Sequence, residues 1–322
     1  MRTLLTNSRM APELAARIEA SVRGSKPGDA ASAARSTALV RLVVLLAVVA
    51  VGAALVVGRR EEKLRAEQDR AALLASFRAE RASITERDEQ ALPRAESLLL
   101  REAGPYEGDV VAEALEKPAA LDALLSEPTV YVHGPIDGFA RSSRIASTAG
   151  DSTKDAFLLC LVDPPSSRSE PAVLPKVRAA YAGTGLEART PNVRRLHDAE
   201  AGARLLSRSF EERIQLAQGA RELAVLRAEL DPDLLGRAKA AMKAKTLVAV
   251  MDEPGSASAP AELDGERPHE ARVIVLGLAG GTALLRRRAP VDPGAWSAKA
   301  RSQYASGLDQ CALAFDVRQS LH

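Results

Sequence analysis

The sequence is poor in aromatic residues, with five Phe, four Tyr and one Trp in 322 residues. That leaves little material for stacking nucleobases or lining a sugar-binding groove. Neither sign of charge is in excess, since 44 Lys and Arg face 42 Asp and Glu. A net charge of +2 over this length supplies no field to hold a polyanion, so nucleic acid is not expected as a partner. Cysteine is limited to Cys160 and Cys311. Two Cys alone do not make a disulfide framework. Catalytic signatures are lacking too. Ser142, Ser143 and Ser147 lie outside any Gly-Xaa-Ser-Xaa-Gly elbow, and Gly277, Gly280 and Gly281 sit between two strand patterns instead of between a strand and a helix. No cofactor is expected.

What the sequence does contain is a long apolar run. Leu42 to Gly58 gives seventeen consecutive residues of Leu, Val, Ala and Gly. At 1.5 Å per residue these cover about 25 Å, and extension back through Thr37 lets a helix cross a hydrocarbon core of about 30 Å, with Arg41 snorkelling to the headgroups. The run has no polar stripe, which argues against a core helix. About forty residues precede it, which argues against a cleaved leader. The lipid bilayer is therefore the first expected partner. Ala50, Ala54 and Gly58 recur every four residues and would let a second copy of the helix approach closely.

The expected organisation has four parts: an N-terminal tail over 1–36, a transmembrane helix over 37–58, a charged helical stalk over 59–104 and a globular domain over 105–322. In the tail, Leu14, Ile18 and Val22 suit a short amphipathic helix, and Gly24 to Ser36 reads as a flexible linker. The stalk is expected to be solvated, to break near Pro93 and to pack little, so that a fragment from about Asp109 to His322 should fold alone.

The domain alternates strand and helix patterns, which predicts an α/β (or α+β) fold with a mixed sheet of about five strands covered by helices. Strands are expected at Thr129–His133, Ala156–Val162, Thr246–Met251, Ala271–Leu278 and Thr282–Arg288, the last two joined as a hairpin by Ala279-Gly280-Gly281. Helices are expected at Leu92–Arg101, Asp109–Leu125, Leu174–Tyr181, Val193–Leu230, Asp233–Lys245 and Ser297–Ser306. Ala312–Val317 fits either type. Glu253 to His269 reads as a Pro/Ser/Ala-rich loop. The Arg286-Arg287-Arg288 run reads as a solvated strand edge.

Three apolar runs end in Asp with Pro close behind, at Asp163, Asp252 and Asp292. The ordinary reading is a turn, in which the carboxylate accepts from an N–H two residues on. The functional reading is a cation or polar-ligand site at the carboxyl ends of strands, which requires the three runs to be parallel. His133 closes a strand and is a candidate general base if a carboxylate stands near it. His197 and His269 have no ligand spacing. Cys160 and Cys311 are either two buried thiols or a bridge closing a loop of about 150 residues.

Basic residues flank the apolar run on both sides. The ease with which long domains translocate favours an N-terminus inside the cell membrane and a domain outside it. The leading functional expectation is a membrane-anchored extracytoplasmic domain that binds a protein partner or scaffolds an envelope complex. The alternatives are a tethered metal-assisted hydrolase using the three Asp residues, or a transmembrane signalling protein.

Overall fold

The computed structural model describes residues 29–151, 156–182, 192–254 and 268–321. The proposed tail helix at Pro12–Val22, residues 24–28 of the linker and most of the Glu253–His269 loop lie outside the described residues. The chain divides into two compact units, Met1–Glu67 and Gln68–His322.

The first described element is a single helix, α1, over Asp29–Ala82. Among the described residues it is the one helix long and apolar enough to cross a membrane. Its Val43–Gly58 segment is exposed throughout, with Leu45 at 62% and Val56 at 68%. Such a surface in water would be strongly unfavourable, whereas lipid solvates it. Helix begins eight residues before the expected 37, inside the supposed linker, because Asp29-Ala30-Ala31-Ser32-Ala33-Ala34 is Ala-rich with an acid at its start.

The expected stalk differs more deeply. The part of α1 in the second unit buries Leu73 and Phe77, and Phe77 stacks on Phe210 with centroids 5.9 Å apart. The helix stops at Ala82 well before Pro93. Thr85 opens a new helix, α2 (Glu86–Glu89), with a reciprocal cap in which its hydroxyl accepts from Asp88 N–H and its own N–H donates to the Asp88 carboxylate at 2.9 Å. Pro93 lies in the first turn of α3 (Ala91–Glu102), where its missing N–H breaks no helical bond. α3 buries Ala95, Leu98 and Leu99, so the compact unit starts near residue 68 instead of 105.

Beyond α3 come a short edge strand β1 (Val110–Val111), α4 (Pro118–Leu125), β2 (Thr129–Pro135), α5 (Ile136–Phe139), α6 (Ser142–Asp151), α7 (Phe157–Val162) and α8 (Glu170–Tyr181). β3 (Val193–Arg195) leads into α9 (Leu196–Leu205), α10 (Arg208–Leu216), α11 (Ala220–Glu229) and α12 (Pro232–Met242). Strands β4 (Thr246–Asp252), β5 (His269–Gly277) and β6 (Thr282–Val291) precede the final helix α13 (Ala298–Gln319).

The sheet has six strands in the order β1-β6-β5-β4-β2-β3. β2, β3 and β4 are mutually parallel, while β5 opposes β4 and β6 opposes β5. β6 therefore runs with β2 and β4, and the carboxyl ends of these three strands share one edge with the start of β5. Both faces are covered. Tyr131, Val248, Val250, Val273 and Val275 point to a layer holding α7, α8 and α13. Their neighbours Val130, Val132, Leu247, Ala249 and Ile274 point to a layer holding α3, α6 and α9. With both faces dry, these strands read as continuous apolar runs, which is why they were legible.

Two expectations fail here. The strand expected at Ala156–Val162 is instead the helix Phe157–Val162, because a six-residue apolar run that is almost wholly buried carries no periodicity to separate helix from strand. Val193–Leu230 is a strand and three helices. Ser207 caps α10 by accepting from Phe210 N–H at 3.1 Å, and Gln218-Gly219 breaks the next junction. The hairpin is as expected, with Gly281 at φ +62. Ala312–Val317 is helical, within α13.

The Arg run is not a solvated edge. β1 covers β6, and Arg286 is 8% exposed, donating to both oxygens of Glu102, itself 5% exposed, at the end of α3. Burial pushes the Glu102 carboxyl up, but Arg286 and Arg101 more than compensate and hold it below its ordinary value. Arg288 and Arg272 both reach Glu253 and flank the ring of Tyr106.

Removal of residues 68–108 therefore strips Leu98, Leu99 and the Glu102 carboxylate from the sheet. A fragment starting at Asp109 should show no cooperative thermal transition by circular dichroism, while one starting at Gln68 should. Leu99→Ala alone should cost about 2–5 kcal/mol.

Candidate functional site

Parallel pairing of β2 with β4 sets His133 against Val250 and Pro135 against Asp252. Antiparallel pairing of β5 with β4 sets Asp252 against Ala271, two residues from His269. The three polar side chains thus meet at the carboxyl edge of the sheet. His133 Nε2 stands 2.9 Å from Asp252 Oδ2, and His269 Nε2 stands 3.4 Å from Asp252 Oδ1. Edges of this kind, beyond the carboxyl ends of strands, are where open α/β sheets place their ligand crevices.

Helix α13 closes the site from above. Its axis changes at Tyr304, whose φ of −143 is not helical, and the following turn drops onto the sheet edge. Gly307 permits this approach, since a Cβ there would come within 2.6 Å of Val177 and 2.7 Å of Tyr181 on α8. Ser306, Asp309, Gln310 and Leu313 then line, with the two imidazoles and Asp252, a cavity of about 40 Å³. A cavity of this size takes a water or two, whereas organic ligands occupy about 300 Å³ or more.

The hydrogen bonds form a connected series. Ala156 N–H donates to Gln310 Oε1 at 2.9 Å, which turns the Gln310 amide nitrogen toward Ser306 Oγ at 3.0 Å and His133 Nδ1 at 3.4 Å. With Nδ1 accepting, the His133 ring proton lies on Nε2 and is donated to Asp252. Both ring nitrogens are then engaged. A general base needs a nitrogen lone pair facing its substrate, and here that lone pair faces the Gln310 amide. Burial pushes the Asp252 carboxyl up, but the interaction with the His133 imidazole, followed by that with His269, prevails and holds it well below the usual carboxylate range.

A disulfide between Cys160 on α7 and Cys311 on α13 fixes the residue next to Gln310. The bridge is the alternative that sequence left open. It ties α13 to α7, whose leading residue Ala156 orients the Gln310 amide.

The three Asp residues do not gather. Asp163 follows α7 and pairs with Lys176 at 2.6 Å, while Asp292 accepts from Gly294 N–H at 3.0 Å in the two-residue turn that its Pro predicts. Only Asp252 reaches the cavity. Among the described residues, no group of three or more His, Cys, Asp or Glu has the arrangement to hold a metal ion. A carboxylate, that of Asp252, does stand beside His133, the condition set for a general base. His269, Ser306 and Gln310 were missed. For His269 the available signal was its place at the start of an apolar run antiparallel to β4, which brings it back beside Asp252.

Because the folded state lowers the Asp252 pKa, this group contributes stability above the ordinary carboxylate value of about 3.9 that is lost as pH falls further. Asp252→Asn should destabilise the protein by about 1–3 kcal/mol at pH 7 and flatten the loss of stability below pH 4, measured by urea melts across pH. Ca²⁺ or Mg²⁺ should leave the thermal melt of the parent protein unmoved. A rise of several degrees that vanishes in Asp252→Asn would restore the cation-site reading.

Comparison with protein-family models, with curated proteins and with solved structures gave no match to this chain.

Proposed function

We propose that this chain is a single-pass protein of the cell membrane whose extracytoplasmic domain binds a protein partner or scaffolds an envelope complex, without catalysing a reaction. The observation that carries this reading is the engagement of both His133 ring nitrogens by Asp252 and Gln310, which makes the polar centre a lock on α13 in place of an acid–base pair. A frame locked in this way suits a recognition module, whose surface must be presented rigidly.

Two further facts support the placement. The exposed Val43–Gly58 segment needs lipid around it. The Cys160–Cys311 bridge belongs to an oxidising compartment, the condition met outside the cell membrane. Ala50, Ala54 and Gly58 are all exposed on α1 and offer one smooth face for self-association within the bilayer.

Alkaline phosphatase joined after His322 should be active in intact cells, and protein denatured without reductant should yield no thiol to labelling. An inactive fusion, or two reactive thiols, would overturn the placement. Reduction of the bridge, whose cysteines are 151 residues apart, should cost about 2–5 kcal/mol in a denaturant melt. A photo-crosslinker at Leu216, a residue 75% exposed, should give a discrete light-dependent adduct in cells, and its absence at this and neighbouring positions would count against a partner there.

A further inference from the structure

The opposite edge of the sheet carries a larger recess. It lies where the amino ends of β2 and β4 and the β5–β6 hairpin meet the Thr85–Arg94 corner and the end of α12, and its volume is about 360 Å³. That is within the range of small-molecule sites, about 300–1,000 Å³. Seven residues of β4 separate it from the His133 centre, about 20 Å along the strand.

Its lining is divided by chemistry. Met242, Ala244 and Leu278 are buried and form an apolar floor. Arg87, Arg94, Lys243 and Lys245 are exposed around the rim, against one carboxylate, Asp88. That carboxylate is directed at Thr85, accepting from its N–H at 2.9 Å and its hydroxyl at 2.8 Å. Lys245 reaches Glu127 at 2.6 Å. Among the described residues, Arg87, Arg94 and Lys243 have no ion pair and no side-chain hydrogen bond. Elsewhere on this surface arginines find carboxylates, as in Arg78 with Glu211, Arg213 with Glu229 and Arg227 with Asp69. Holding like charges around one recess is unfavourable unless an anion relieves it.

We propose that this recess is a binding site for a phosphate-bearing ligand, with the phosphate on the Arg94–Lys243 rim and an apolar portion on the Met242–Leu278 floor. A phosphate monoester brings nearly two charges and three acceptor oxygens to one centre. Arginine meets such a group with paired N–H donors and lysine with a compact charge, so the mixture of the two suits it. The phosphate can belong to a soluble ester or to a lipid headgroup, since the recognising chemistry is the same.

The test is isothermal titration of the full chain in a non-ionic detergent, with inorganic pyrophosphate as the probe at low salt. One saturable site per chain is expected, weakened at least tenfold by Arg94→Ala with Lys243→Ala and left unchanged by Arg78→Ala, a residue that pairs with Glu211 and does not line the recess. The melting temperature of the double variant should equal that of the parent. Absence of saturable binding, or equal affinity in the double variant, would overturn the proposal. Displacement of the probe by phosphatidic acid in the micelle, but not by phosphatidylcholine, would assign the phosphate to a lipid, and displacement by glycerol 3-phosphate alone would assign it to a soluble ester. Failure of both esters, or stronger displacement by a hexaglutamate peptide, would overturn it in favour of another anion. None of these outcomes depends on the placement or partner reading given above.

Discussion

Parallel pairing between β2 and β4 is the constraint from which the polar centre follows. It sets the ends of two separate strands side by side and commits His133 and Asp252 to one edge. Everything above that edge is then arranged around a half-buried polar pair whose hydrogen bonds must be satisfied. Gln310 supplies the remaining hydrogen bond, and the disulfide, the Tyr304 change of direction and Gly307 hold Gln310 where it is needed. A shift of one residue in the β2–β4 register would turn His133 to the other face and leave Asp252 without its principal partner.

The sheet was legible where its faces were dry. Thr129–His133, Thr246–Met251 and the hairpin around Gly281 declare themselves through β-branched and apolar runs ended by Gly, Asp and Pro. The short strands β1 and β3, of two and three residues, carry too little pattern to register. Phe157–Val162 misled because burial on every side erases the difference between a period of 2 and one of 3.6. Residues 68–104 misled for the opposite reason. Their charge suggested solvent, yet Phe77 on α1 and Leu98 and Leu99 on α3 are buried, and the charged residues between them in sequence conceal it.

The candidate site was half legible. Proximity of a carboxylate to His133 depends on strand order, which no local pattern reveals, and the contribution of Gln310 depends on a helix 177 residues further along the chain. Arg286 illustrates the same limit. Its neighbours in sequence are two other arginines, but its neighbour in space is Glu102, and that one contact converts an apparent surface run into a buried ion pair.

The Cys160–Cys311 bridge has a further bearing on the durability of the chain. It encloses most of the second unit, from α8 through β6, in a covalent ring. A single peptide bond cut anywhere between the two cysteines opens the ring without releasing either end, so α1 on one side and α13 on the other stay joined. A protease would have to cut on both sides of a segment to remove it, and the part of the chain carrying α1 would still hold α13 through the bridge. Wherever a protease meets the chain, damage is thereby separated from loss.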